Sequence, residues 1–581
     1  MSTPTTFAGH TTVGARSGTR LAADAVVLIG FAAVLWLLIH LSQGIAAPFD
    51  PSRDIDAVST DPSQLPYDAA RSLLRMFIAL AASVVFTFVY ATAAARSRRG
   101  EKVLIPILDI LQSVPVLAFL SVTLTVWIVI FPNSELGVEC ASIFAIFTSQ
   151  AWNMTFAFYN SLTTQPRDLD EAARLLRLTR WQRFWKLDVP SGMIPLVWNG
   201  MMSFGGGWFF LVASEVISVN NHTYALPGIG SYVASATAEE NIPAILWAIA
   251  VMIVMVVGVN TLFWRPLTAW AERFRMGDTS SQVPQRSVVL DVLRHSGVPR
   301  LIGRALAPLG RGLDRAMAVF GVADVPLRVD PRRRRIGDLV FAVVVAVALT
   351  WGTVQVIIFV QSSVGLWEFA DAAGLGLVTF GRVLVLLVFG TIIWVPVGVW
   401  IGMNPRVTRF AQPVVQVLAS FPANFLFPFV TLALIHTGIS LNIGGILLMA
   451  LGAQWYVLFN VIAGASAIPA DLRDAATSLR LSRWQRWTRL ILPAIFASWV
   501  TGGITAAGGA WNASIVSEVV TYGSTTLTAV GLGAYIANAT ATGDSPRVYV
   551  GVIVMSLFVV GLNRLFWRRM YRLAERRFSL I

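Results

Sequence analysis

A chain of 581 residues that is 56% hydrophobic and only 13% charged has too little polar surface to clothe a soluble fold, which excludes a soluble multidomain enzyme. The formal net charge of +13 is spread as arginine clusters beside apolar runs, the distribution of topogenic charge rather than of a nucleic-acid-binding face. The sole cysteine, Cys140, excludes an internal disulfide and argues against thiolate metal chemistry.

In chain order, residues 1–23 are rich in Thr, Gly and Ser and lack the apolar core of a signal peptide, so a disordered cytoplasmic tail is expected there. Apolar runs follow at about 24–47, 73–95, 103–131, 138–160, 193–218 and 242–264. Each is long enough to cross the ~30 Å hydrocarbon layer of a bilayer. Residues 271–336 contain no such run and read as a cytoplasmic linker. Within it, "RLIGRALAPLGRGLDRAM" (300–317) sets Leu301, Leu306, Leu309 and Leu313 near one helical face, which suits either a helix lying on the membrane or a short solvated one. Six further runs occupy about 337–361, 378–402, 409–436, 440–466, 495–519 and 547–567. The expectation is an all-α membrane protein of about twelve transmembrane helices, in two domains at 24–270 and 337–581.

Loop charge orients the spans. "RSRRGEK" (96–102), "NPRVTR" (404–409) and "WRRMYRLAERRF" (567–578) are arginine-rich and expected in the cytoplasm, whereas 48–70 carries five aspartates against one arginine. Both termini are then cytoplasmic.

The halves repeat. "LDEAARLLRLTRWQRFWKLDVP" (169–190) returns as "LRDAATSLRLSRWQRWTRLILP" (472–493), a step of 303 residues from Glu171 to Asp474. The same step carries Trp208 to Trp511, Glu215 to Glu518 and Trp264 to Trp567, and Pro115 pairs with Pro422 at 307. With six spans in each half, both copies enter the bilayer in the same sense, a parallel duplication that favours a transporter. The repeated segment is amphipathic, too charged to span and too apolar to stay free in water. It suits either the inner leaflet or a groove on a partner protein, and its duplication points to a dimeric partner.

These segments resemble the EAA loop of binding-protein-dependent ABC importer permeases. That pattern is E-A-A, three residues, G, nine residues, I, any residue, L-P. Glu171, Ala172 and Ala173 are followed by Leu187, Val189 and Pro190, and Asp474, Ala475 and Ala476 by Leu490, Leu492 and Pro493; the pattern's glycine falls on Arg177 and Arg480. Pieces such as "SEVI" (214–217) and "PGIGSYV" (227–233) are most similar to the nitrate, sulfonate, taurine and bicarbonate branch. The resemblance implies two fused permease domains in a bacterial inner membrane. It implies two copies of a cytoplasmic ABC ATPase carrying ATP and Mg, an extracytoplasmic solute-binding protein and a small anionic substrate, with no cofactor in this chain and no nucleic acid. It also implies Glu171 and Asp474 as acidic contacts to the ATPase, Arg177, Arg180, Arg480 and Arg483 as polar contacts, and Trp181 and Trp484 as apolar anchors, with Pro190 and Pro493 closing each loop. The only lysines, Lys102 and Lys186, lie in no G-x-x-x-x-G-K-[ST] cradle, so the chain has no ATP site of that type.

Ionisable groups in spans are costly and therefore candidates. Glu215 and Glu518, each behind a serine (Ser214, Ser517), read either as an outer gate or as helix-end carboxylates bonded to a neighbouring loop. Trp208 and Trp511, beside glycine runs, read as path-lining or as packing. Arg75 and Arg382 near helix ends are expected to snorkel. His40 and His436 have no second ligand at metal spacing, and no catalytic cluster stands out. An ion-driven secondary transporter of two parallel six-span repeats is the alternative; it would need mid-span charged relays.

Overall fold

The computed structural model describes residues 13–42, 58–132, 134–219, 222–274, 287–317 and 331–577. The first repeat holds α1 (Val13–Ser42), α2 (Leu65–Arg96), α3 (Arg98–Ser113), α4 (Leu120–Ile130), α5 (Leu136–Thr163), α6 (Arg167–Leu175), α7 (Arg180–Arg183), α8 (Val189–Glu215), strands β1 (Val216–Val219) and β2 (His222–Ala225), α9 (Ile229–Ala238), α10 (Ile242–Val259) and α11 (Arg265–Ala271). Between the repeats lie α12 (Val288–His295) and α13 (Val298–Met317). The second repeat holds α14 (Pro331–Ser363), α15 (Glu368–Gly402), α16 (Pro405–Ser420), α17 (Phe427–Thr437), α18 (Leu441–Ser466), α19 (Ala470–Ser478), α20 (Arg483–Arg486), α21 (Leu492–Ser517), β3 (Val519–Tyr522), β4 (Thr525–Thr528), α22 (Leu532–Ala541), α23 (Ser545–Leu562) and α24 (Arg568–Arg577).

Element for element the halves match, down to π-turns at Phe184–Asp188 and Asn260–Trp264 that recur at Trp487–Ile491 and Asn563–Trp567. The first of each pair precedes Pro190 or Pro493. A proline lacks the N–H of the helical ladder and crowds the preceding turn, and a widened turn accommodates both defects.

Among the described residues nine helical segments are long and apolar enough to cross a membrane, and ten if α16 and α17, bent by 84°, count as one. The third and ninth apolar runs are therefore not the straight spans expected. Pro115 and Pro422 force Val114 and Phe421 into extended backbone, ψ 126° and 127°, and each helix breaks there into a 3-10 turn, Val116–Phe119 or Ala423–Leu426. The first helix of each repeat begins earlier than its apolar run. The chain is helical from Val13, inside the expected tail, and α14 starts at Pro331, ahead of residue 337. Residues 1–12 of that tail lie outside the described residues.

Two β-hairpins interrupt the helices, β1 with β2 and β3 with β4, both antiparallel. The second turns through Gly523 at φ +57°, a left-handed conformation that suits glycine.

The chain divides into two compact units. One comprises α1, the first charged loop with α8 up to Trp198, α11, and the helices between the repeats. There α12 packs against α1 and α11, and α13 against α1 and α7. The other comprises the rest of the first repeat and all of the second. In it α18 packs along both α15 and α21. Small residues permit that approach: a methyl group on Gly502 would sit 2.9 Å from the Tyr456 carbonyl oxygen, and one on Gly398 2.8 Å from Val461. The two repeats also meet within this unit through exchanged contacts. The Val116 amide donates to Asn512 Oδ1 at 2.9 Å, and Asn424 Nδ2 donates to the carbonyl of Phe209 at 3.3 Å. Phe209 and Asn512 are 303 residues apart, so each proline-broken turn touches the long helix of the other copy at the same place.

Candidate functional site

Both charged loops fold as two short helices joined by one turn. Helix α6 ends with Arg177 N–H donating to the Arg174 carbonyl at 3.0 Å and Leu178 N–H to Ala173 at 3.1 Å; α19 ends with Arg480 to Thr477 at 3.0 Å and Leu481 to Ala476 at 3.1 Å. This is a Schellman closure, which requires a left-handed residue after the helix. Arg177 and Arg480 supply it, with φ 48° and 49°. The turn that glycine ordinarily makes is thus kept by arginine, at a cost of about 1–2 kcal/mol per site. The next helix begins at once with a capping box, Thr179 with Gln182 and Ser482 with Gln485. Backbone demand is met on both sides of the turn, so the loop is rigid although it carries many charges.

This geometry decides which side chains project. Glu171, Ala172, Arg177 and Arg180 are exposed, as are Asp474, Ala475, Arg480 and Arg483. Ala173 and Ala476 are buried beneath the turn, where a small side chain lets the short helices cross, and Pro190 and Pro493 are half-buried. The apolar residues differ between copies. Trp181 is half-buried, edge-on to Trp185 at 5.6 Å, while Trp484, whose neighbour at the equivalent position is Thr488, is 76% exposed.

The polar support differs too. In the first loop Arg183 pairs with Asp170 and approaches Asp188 at 3.9 Å, and Gln165 donates to Asp188 at 3.3 Å and Ser191 at 2.6 Å. The corresponding residues of the second loop are Arg486, Arg473, Ile491, Ile468 and Ala494. Ile468 and Ile491 are buried in the apolar core, and Arg486 Nε is buried without a hydrogen-bond partner among the described residues.

Glu215 and Glu518 are fully buried at the ends of α8 and α21. Glu215 Oε1 accepts from Arg75 Nη1 at 2.7 Å and from Ser72 Oγ at 2.5 Å, and its Oε2 accepts from the Gly230 amide at 2.6 Å. Glu518 repeats this with Arg382 Nη1 at 2.7 Å, Thr379 Oγ1 at 2.8 Å and the Ala534 amide at 3.0 Å. Each carboxylate lies at the N-terminus of a short helix, α9 or α22, where free amides and the helix dipole favour negative charge. A methyl group on Gly228 or Gly531 would overlap it.

Arg75 and Arg382 therefore do not snorkel. A buried carboxylate on a neighbouring helix is a stronger claim on a guanidinium than distant headgroups, because neither charge is tolerable alone at low dielectric. The first copy adds a second pair: Glu139 accepts from Arg75 Nε at 2.6 Å and Nη2 at 2.7 Å, and also binds Arg71. In the second copy Asn442 stands in place of Glu139, offering its carbonyl at 3.0 Å and its Oδ1 at 2.8 Å to Arg382, and Arg71 has become Val378.

The other span candidates are packed. Trp208 is buried edge-on against Phe204 at 5.5 Å, and Trp511 is buried between Phe380 and Phe558 at 6.4 and 5.8 Å. Ser214 Oγ meets Ser142 Oγ at 2.9 Å. Ser517 has Gly445 in place of that partner, and its buried hydroxyl has none among the described residues. Adjacent glycines lie at the contact between repeats instead: a methyl group on Gly205 would meet Ser420 Oγ at 2.7 Å, and one on Gly206 would meet the Tyr456 hydroxyl at 3.2 Å. Ser420 and Tyr456 carry no motif that marks them in the sequence.

Comparison with known proteins places these features. A family model described as "Binding-protein-dependent transport system inner membrane component" matches residues 77–273 and again 394–579, once in each repeat. The nitrate import permease protein NrtB of Leptolyngbya laminosa is 29% identical over 184 residues, 32% of this chain and 62% of its own length. The bicarbonate transport system permease protein CmpB of Synechococcus elongatus is 26% identical over 203 residues, 34% of this chain and 68% of its own. The glycine betaine/proline betaine permease ProW of Escherichia coli is 25% identical over 204 residues, 35% of this chain and 52% of its own. This chain thus spans less than two thirds of the nitrate permease and about half of the betaine permease. With both halves matched, the chain belongs to the binding-protein-dependent transport system inner membrane components, as a tandem duplication of the ABC importer permease unit.

Proposed function

We propose that this permease moves a small anion inward at the expense of ATP hydrolysed by a separate subunit. Its two rigid turns around Arg177 and Arg480 are the points where that subunit pulls. The observation that carries this reading is the repeated left-handed arginine: both copies bear the same strain to present a guanidinium where glycine would suffice sterically. The turn requires a left-handed residue but not a guanidinium, and a strained, exposed arginine kept at that position in both copies supports contact with something outside the chain. Glu171, Arg180 and Trp181, with Asp474, Arg483 and Trp484, form the remainder of each contact, and two copies of a cytoplasmic ATPase carrying ATP and Mg grip one turn apiece. The arginine-rich loops set both turns and both termini on the cytoplasmic side. A solute-binding protein delivers substrate at the opposite face.

For the substrate, a nitrate or bicarbonate type of anion is supported by the names of two relatives, NrtB and CmpB; the sulfonate and taurine types rest on the sequence resemblance alone, and ProW, named for betaines, argues for a zwitterion instead. Detergent extraction of the native membrane through a tag on this chain tests the central point. An ATPase recovered at two copies per permease is the expected result, and recovery of the chain with no ATPase under conditions that preserve its fold overturns it. Melting of the co-purifying binding protein against nitrate, bicarbonate and glycine betaine then separates the anion from the betaine reading.

A further inference from the structure

Between the repeats, α13 has no buried residue. Ile302, Leu306, Leu309 and Leu313 recur at the spacing of a single helical face, and Leu306 and Leu309 are 56% and 65% exposed. Arg300, Arg304, Arg311 and Arg315 recur at the same spacing on the opposite face, all exposed. Leu301 lies at the flank of the apolar stripe. An apolar face of this size on a helix that nothing in its own unit covers calls for an occupant.

Position identifies that occupant. Asp24 accepts from Ser296 Oγ at 2.6 Å and from the Gly297 amide at 2.7 Å, so its carboxylate caps the start of α13. Asp24 itself stands one turn inside the candidate span Arg20–Leu41, at its polar end. Helix α13 packs on α1 and on α7, the latter being the start of the span Arg180–Glu215, and α12 packs on α11, within the last turns of the span Ile242–Phe274. Three span ends therefore surround the root of α13. That is the depth at which a bilayer passes from hydrocarbon to water.

We propose that α13 is a surface anchor lying in the headgroup boundary of an anionic phospholipid leaflet. Ile302, Leu306, Leu309 and Leu313 sit among the upper acyl chains, and the arginines face water and reach sideways to lipid phosphates. The inference is independent of the ATPase reading, because it needs only that the chain spans a membrane.

The experiment uses the full chain with Cys140→Ser, bearing one new cysteine at a time from 300 to 315. Each variant is spin-labelled in vesicles of phosphatidylcholine with phosphatidylglycerol. Oxygen, which concentrates in the bilayer, and a water-soluble nickel chelate serve as relaxing agents. Oxygen accessibility is expected to peak at 302, 306, 309 and 313, and nickel accessibility at 300, 304, 311 and 315. In vesicles lacking phosphatidylglycerol the oxygen peaks should fall. Nickel access all round the helix overturns the proposal in favour of a solvated helix, and exclusion of both agents from the apolar face overturns it in favour of a protein partner or a second copy. Oxygen peaks indifferent to phosphatidylglycerol overturn the choice of an anionic leaflet.

Discussion

Arg75 and Glu215, 140 residues apart in the chain, meet at 2.7 Å in the arrangement that Arg382 and Glu518 adopt in the second copy. Each pair ties the interior of a long helix, α2 or α15, to the end of another, α8 or α21. In the second copy, which lacks the carboxylate that Glu139 adds in the first, both charges are buried and removing one leaves the other without its counter-charge, at a cost of about 3–5 kcal/mol. Removing both costs less than the sum, since no bare charge remains. Arg382→Gln and Glu518→Gln are therefore each expected to lower the melting temperature of the detergent-solubilised protein sharply, and the double variant to melt above the sum of the two losses. Strict additivity would show that the pair contributes no coupling.

The sequence marked these carboxylates as suspect and the arginines as harmless, for a physical reason. An arginine near a helix end looks able to reach headgroups when only its own helix is in view, and its partner lies on a helix 140 residues away. The charged loops were legible as repeated amphipathic segments because their spacing from Ala173 to Pro190 is local; the left-handed turn at Arg177, the capping box and the π-turn came from the structure. The breaks at Pro115 and Pro422 were not anticipated: a residue before proline leaves the helical region, but the unbroken apolar run around each proline hides that signal. The hairpins were not anticipated, although the β-branched run "VVTYGSTTLT" (519–528) suits one. Ser420 and Tyr456 gain their place only from the approach of the second repeat to the first.

The left-handed arginines separate backbone from side-chain roles. Glycine at 177 and 480 removes the strain of about 1–2 kcal/mol per site, so Arg177→Gly with Arg480→Gly is expected to melt no lower than the parent. If the guanidinium is the contact, the same variant loses substrate-stimulated ATP turnover in reconstituted vesicles. Arg177→Val should do worse on both counts, because β-branching is poorly tolerated at positive φ. A glycine variant with full turnover would remove the arginines from the contact.

Glu171 and Asp474 are exposed and close no part of the turn. Replacing both with alanine is expected to leave membrane level and melting unchanged while uncoupling transport from ATPase. Unchanged substrate-dependent ATP turnover would refute their role. Labelling of a cysteine at either position in sealed inverted vesicles, and not in right-side-out ones, checks the sidedness drawn from loop charge.

The two loops are supported differently, which predicts different responses to the same change. Arg183 is held by Asp170 and Asp188 beneath the first turn, whereas the second loop carries Arg473 and Ile491 at the positions equivalent to those two aspartates. Asp170 is 37% exposed, so its pair with Arg183 is partly screened; the larger effect of losing Arg183 comes from removing a counter-charge beside the buried Asp188, which the uncharged Gln165 does not replace. Arg183→Ala is expected to speed amide hydrogen exchange across 167–188 by about tenfold or more, which corresponds to about 1.4 kcal/mol of local opening. Arg486→Ala should leave 470–491 almost unchanged, because Ile468 and Ile491 hold that loop from below. Equal exchange responses in the two segments would mean that the ion cluster does not stiffen the first loop, and that both turns rest on their Schellman and capping-box bonds alone.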